Sequence, residues 1–172
     1  MSIKANAWVR VYGPVILLVA LVAYAGMYLR WPSLASQVDL LVYRFGAGRV
    51  LAGQDLYSVG LTGSPRTLLF DYTPFAALCS LPLTLVTSPA AQVIGLVVNA
   101  ALLVYVVRRT LVWLGVTTSS GLWSLGALLV GLLCWLEPVR LSLQLGQVNL
   151  LILAVVVVAG SSSDELMGTS SR

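Results

Sequence analysis

Charged residues in this chain are spaced so widely that the gaps between them dictate the fold. Arg10 and Arg30 enclose 19 uncharged residues, Asp71 and Arg108 enclose 36, Arg109 and Glu137 enclose 27, and Arg140 and Asp164 enclose 23. A helix through the first gap covers roughly 28 Å, close to the hydrocarbon thickness of a bilayer. A soluble domain carries charge on roughly a quarter of its residues, whereas here 9% are charged and 59% are hydrophobic, with a mean hydropathy of +0.94. That excludes a soluble enzyme, a disordered chain and a disulfide-stapled secreted module, and leaves an integral membrane protein.

The gaps predict an all-α, polytopic transmembrane helical bundle of about five spans, near residues 11–29, 72–87, 90–107, 122–136 and 145–159. The 36-residue gap is too long for one span, and Pro82 with Ser88-Pro89 divides it into a hairpin that turns near residues 87–91. Lys4 and Arg10 supply a basic start, but the first apolar run is long for a cleaved leader, and Tyr24, Tyr28 and Trp31 form an aromatic belt at its far end. It reads as an uncleaved anchor with a cytoplasmic N-terminus and an extracytoplasmic loop over residues 30–71. Five true spans would leave Arg108 and Arg109 outside, against the positive-inside rule; a re-entrant segment before residue 88 would return them inside. Cys79 and Cys134 both fall in apolar segments and read as buried, inert thiols. The chain has no histidine, so imidazole ligands, His general bases and Ser-His triads are excluded, and no metal site is indicated.

Seven of the sixteen charged side chains lie in the loop 30–71. Residues 36–51 pattern as a helix with Val38, Leu41, Val42 and Phe45 on one stripe and Gly53 as its stop; such a helix beside a span is expected to lie along the membrane surface, stripe down. Ser36 and Asp39 have the spacing of a capping box, which would make Asp39 a helix-starting residue. Asp55 and Asp71 read as ordinary loop carboxylates. Glu137 and Arg140 at a span boundary read as a surface ion pair. Gln147 and Asn149 fit either of two roles, interhelical hydrogen bonding or the lining of a cavity.

In order along the chain, Asp39-Leu40-Leu41-Val42-Tyr43, Gly53-Gln54-Asp55-Leu56-Tyr57, Phe70-Asp71-Tyr72-Thr73-Pro74-Phe75 and Gly146-Gln147-Val148-Asn149 resemble the amino-terminal part of the polytopic GT-C glycosyltransferases. The pattern is most similar to actinobacterial alpha-(1,2)-mannosyltransferases that use polyprenyl-phosphate mannose, and the early segment is also similar to the first mannosyltransferase of GPI-anchor assembly. The resemblance spans roughly residues 13–159. It implies an inverting hexosyl transfer, outside the cytoplasm at the plasma membrane, from a lipid-phosphate sugar to a glycan or glycolipid acceptor. The lipid-linked sugar is then a substrate, no cofactor is implied, and nucleic acid has no part.

The same resemblance makes Asp39 the general base, a role compatible with a helix-starting position, where a carboxylate is held rigidly. It implies cations against the donor phosphate, for which Arg44, Arg49 and Arg140 are the candidates, and sugar or structural contacts from Gln147 and Asn149. Tyr57, Tyr72 and Pro74 match positions that shape the junction between loop and membrane, with Tyr72 also a candidate substrate contact. Members of the family carry ten or more spans, so the polar tail 161–172 reads as the mark of a truncated or a frameshifted product. Two readings from other classes compete: a small transporter or channel subunit, whose pathway would need ionisable residues inside spans, and a structural membrane partner.

Overall fold

The computed structural model describes residues 7–64 and 66–169, with side chains through Gly160. Lys4, Pro65 and the end of the polar tail lie outside the described residues. Seven α-helices carry the fold: α1 (Ala7–Arg30), α2 (Val38–Leu51), α3 (Pro74–Cys79), α4 (Ser88–Trp113), α5 (Ser119–Leu133), α6 (Glu137–Leu145) and α7 (Asn149–Thr169), with 3-10 turns at Pro32–Ala35 and Leu81–Leu85. The last helix runs on into the segment read as a polar tail.

Two helices, α1 and α4, are long and apolar enough to cross a membrane, and the α5–α6 pair makes a third if its 80° bend lies within one span. The shorter apolar stretch Asn149–Gly160 opens α7. The count of five is not reached by length and composition among the described residues. The largest difference is at 72–87. Pro74 opens a helix of only six residues, about 9 Å long. Pro82 then turns the chain into a 3-10 segment, and Thr87 caps α4 through its hydroxyl, which accepts from Ala90 N. Two prolines within the fourteen residues before a capped helix start leave no room for a span, whatever the hydropathy.

The long helices alternate in direction. Helix α1 runs alongside α5 in the same sense: Gly13 lies against the Ser124 carbonyl, Gly131 against the Leu17 backbone, and the Tyr24 hydroxyl donates to the Cys134 carbonyl. A Cβ at Gly131 would come within 3.0 Å of the Leu17 Cα, so the two backbones meet because a side chain is missing there. Helix α4 runs back, its Leu103, Val107 and Leu111 packing with Val130 of α5 and with Leu143 and Leu150. Helix α7 descends beside it, Ala154 and Val157 against Val106 and Gly160 against the Trp113 ring. Arg108, stacked over Trp123 at 4.9 Å, therefore sits at the same end of the bundle as Arg10. The loop helix, α3 and α6 gather at the other end.

Helix α2 begins at Val38, not at Ser36, and the capping box does not form. Gln37 takes the N-cap in the left-handed region (φ 48°, ψ 40°) without a side-chain cap. Its N–H donates to the Gln144 carbonyl at 2.9 Å and its side-chain amide to the Leu143 carbonyl, while the Ser36 carbonyl accepts from Gln92 Nε2 at 2.7 Å. Long-range partners therefore hold this helix start, and the Asp39 carboxylate that a capping box would have used accepts from Gln147 Nε2 instead. The buried stripe differs as well: it is Leu40, Tyr43 and Ala47 with Val42 and Gly46, and of the expected Val38, Leu41, Val42 and Phe45 only Val42 belongs to it. This face meets protein: Val42 and Tyr43 pack with Leu56, Phe70 and Ala77, and Phe70 fills the space beside Gly46. Gly53 does end the helix, at φ +63°.

Candidate active site

The Gly146 turn between α6 and α7 is built by close approach. Gly146 adopts φ +74°, and a Cβ there would lie 2.6 Å from Gln37 Oε1 and 2.7 Å from the Leu40 Cβ. Only glycine lets the turn seat itself against the first residues of α2. Gly95 of α4 supplies the other wall, where a Cβ would meet Leu40 Cδ1 at 2.6 Å and Gln37 Oε1 at 3.0 Å. Gln37 is 2% exposed, and its Oε1 has no hydrogen-bond partner. Two glycines thus lock the start of α2 to α4 and α6.

This lock brings three predicted site residues together. Gln147 Nε2 donates to Asp39 Oδ2 at 3.0 Å, and Asn149 Nδ2 donates to Gln147 Oε1 at 2.9 Å. A second, longer contact links Asn149 Nδ2 to the Ser142 hydroxyl at 3.5 Å. The relay is directional: each amide gives a proton to the next acceptor, and Asp39 is the terminal acceptor. Asp39 is half-buried in the first turn of α2, where the helix dipole favours a carboxylate. One of its oxygens is thereby fixed.

Beside the relay opens a cavity of about 510 Å³, lined by Leu40, Tyr43, Tyr72, Gln147, Asn99 and apolar side chains of α3, α4 and α7. Tyr72 stands on its wall with its ring 4.6 Å from that of Tyr43 and 5.6 Å from that of Phe70, and its carbonyl accepts from the Tyr57 hydroxyl at 3.1 Å. Burial, then Tyr72, then the carboxylates of Asp39 and Asp71 push the Tyr43 hydroxyl far above the ordinary tyrosine value. Cys79, expected to be buried, is exposed and lines the same cavity, because the short α3 offers nothing to cover it. Asn99 is 6% exposed in the middle of α4. Sequence reasoning passes over it, although a lone carboxamide in a 26-residue apolar helix is itself a signal.

The arginines stand apart from this group. Arg44 Nε donates to the Leu83 carbonyl at 3.0 Å and Arg44 Nη2 to the Val86 carbonyl at 2.8 Å, tying α2 to the end of the 3-10 turn. Arg49 donates to the Asp55 carbonyl at 2.6 Å and lies over the Phe45 ring at 5.8 Å. Both border a second cleft of about 320 Å³ that shares no lining residue with the first. Arg140, in the first turn of α6, keeps its Nε buried without a hydrogen-bond partner among the described residues.

Comparison with known proteins follows this geometry. Residues 70–162 match glycosyltransferase family 87. The chain is 28% identical, over 70% of its length, to a polyprenol-phosphate-mannose-dependent alpha-(1-2)-phosphatidylinositol mannoside mannosyltransferase of Mycolicibacterium smegmatis, of which 30% is covered. It is 33% identical, over 81% of its length, to a polyprenol-phosphate-mannose-dependent alpha-(1-2)-phosphatidylinositol pentamannoside mannosyltransferase of Mycobacterium tuberculosis, of which 33% is covered. A Mycolicibacterium smegmatis counterpart is 30% identical over 94% of the chain, with 39% of the relative covered. The chain thus spans about a third of the length of these relatives. No solved structure matches it.

Proposed function

Because this chain belongs to glycosyltransferase family 87, we propose that it carries the base-bearing part of a membrane-embedded mannosyltransferase. That enzyme takes mannose from a polyprenyl-phosphate donor and adds it to a glycolipid outside the cytoplasm. The observation that carries the reading is the hydrogen bond from Gln147, which lines the cavity, to Asp39.

In this reading Asp39 Oδ1 takes the proton of the acceptor hydroxyl while Gln147 holds Oδ2. The acceptor oxygen bonds to the anomeric carbon from the face opposite the phosphate. The bond from that carbon to the phosphate oxygen breaks, its electron pair leaves with polyprenyl phosphate, and the configuration inverts. Asn149 orients Gln147, since accepting at Oε1 leaves the Gln147 amide nitrogen turned to Asp39. Among the arginines, Arg44 and Arg49 already bind backbone carbonyls, so the unpartnered Arg140 Nε is the favoured contact for the donor phosphate.

The short 72–87 segment supports the orientation. With no span there, α4 starts at the loop's end of the bundle and returns Arg108 and Arg109 to the end that holds Arg10. A cytoplasmic N-terminus in the plasma membrane then satisfies the positive-inside rule and leaves the loop and Asp39 outside.

The test is transfer of labelled mannose from polyprenyl-phosphate mannose into glycolipid by membranes containing this chain, with and without Asp39→Asn. Loss of transfer in the variant is expected. Undiminished transfer by the variant overturns the reading.

A further inference from the structure

The cavity beside Asp39 is almost wholly apolar, yet Asn99 projects into it. Its side chain is 6% exposed, and among the described residues no hydrogen bond meets its carboxamide. A buried amide without a partner is costly, and more so within the thickness of a membrane, where water does not compensate. Burial and lack of a partner together point to a ligand that carries the missing polar atom.

The level of Asn99 narrows the chemistry of that ligand. Asn99 lies one helical turn beyond Gly95, against which Leu40 and Gln37 pack, so it sits about 6 Å deeper along α4 than the start of α2. Leu40 neighbours Asp39, so the headgroup level is that of the relay, and Asn99 lies below it. A polyprenyl chain is pure hydrocarbon below its phosphate. A diacyl glycerolipid carries ester carbonyls just inside its phosphate, and an ester oxygen accepts the N–H that the Asn99 amide offers. Around it, Ile94, Val98, Leu102 and Leu151 supply the apolar wall that an acyl chain requires.

We propose that this cavity holds one acyl chain of a diacyl glycerolipid, with Asn99 donating a hydrogen bond to its ester carbonyl. The site is then the seat of the acceptor lipid, distinct from that of the polyprenyl donor. The identification of the occupant as acceptor rests on the glycosyltransferase reading, whereas the binding itself does not.

The experiment measures lipid retention by this chain purified into detergent micelles, by native mass spectrometry, with no sugar transfer involved. The probes are diacyl phosphatidylinositol, its dialkyl ether analogue and a polyprenyl phosphate, each against the native chain and Asn99→Leu, which keeps the volume and removes the donor. Retention of the diacyl lipid is expected to fall about tenfold, a cost of roughly 1.4 kcal/mol, both in the variant and with the ether analogue, while polyprenyl phosphate is unaffected by the substitution. Equal retention of ester and ether lipids, an Asn99→Leu chain that binds the diacyl lipid as well as the native one, or no lipid retained at all overturns the proposal. Asn99→Ser, which keeps a donor, is expected to restore part of the ester preference. Retained lipid together with undiminished mannosyl transfer by Asp39→Asn would overturn the enzymatic reading alone.

Discussion

Gln147 and Asp39, 108 residues apart in sequence, are joined by a 3.0 Å hydrogen bond that fixes one oxygen of the carboxylate and leaves the other free. The charge state of residue 147 therefore bears directly on the chemistry of residue 39. Replacing Gln147 by Glu puts a second carboxylate at hydrogen-bonding distance, and like charges that close resist joint ionisation. The pH–rate profile of mannosyl transfer is expected to move its acid limb upward by about one unit. An unmoved limb in the Gln147→Glu variant would separate the two residues functionally.

Gly146 gives the sharpest stability contrast. Gly146→Ala faces both a left-handed backbone and a Cβ 2.6 Å from Gln37 Oε1, whereas Gly53→Ala faces a left-handed backbone in open space. The first is expected to cost about 2–3 kcal/mol and the second about 1 kcal/mol. Thermal unfolding in detergent, followed by helical circular dichroism, ranks them; equal losses would mean that the Gly146 turn is not held against α2.

Tyr43 makes an alkaline prediction. Its hydroxyl value is raised in the folded chain above the ordinary 10.0, so the neutral form is favoured by folding. That contribution is complete below about pH 10 and is lost as pH rises beyond it, because the unfolded tyrosine ionises first. In ultraviolet titration near pH 10–11 the folded native chain and folded Tyr43→Phe are expected to coincide, whereas the unfolded pair differ by one tyrosine. Tyr43→Phe gains stability relative to the native chain as pH climbs.

Sidedness is checked by labelling. With Cys79 and Cys134 replaced, a cysteine at Ser58 is expected to react with a membrane-impermeant maleimide on intact cells, and one at Leu114 only after the membrane is opened. Labelling of both from outside would restore a crossing at 72–87.

Helices α1 and α4 were legible from charge spacing and proline together, since Arg10, Arg30 and Arg108 bound the runs and Ser88-Pro89 marks where α4 begins. The loop helix was legible in extent to within two residues at its start. Its buried face was legible only at Val42, because Tyr43 turns inward to meet Phe70 and Ala77, partners that no local periodicity reveals. Hydropathy counted 72–87 as a span because apolarity persists there, while the prolines govern the backbone. Asp39, Gln147 and Asn149 were each named from pattern, and their union depends on Gly146 and Gly95, whose roles exist only in three dimensions. Asn99 was missed because an amide amid apolar residues belongs to no motif.

The 80° bend between α5 and α6 sets a length. Helix α5 has 15 residues, about 22 Å, shorter than the roughly 30 Å of a typical hydrocarbon core. With α6 turned aside, the bilayer on that flank has to thin or the protein has to tilt, and thinning costs more as acyl chains lengthen. A dimple of this kind draws headgroups down toward the relay. Mannosyl transfer in vesicles is accordingly expected to be fastest in short-chain lipid and to decline steadily with each added pair of methylenes.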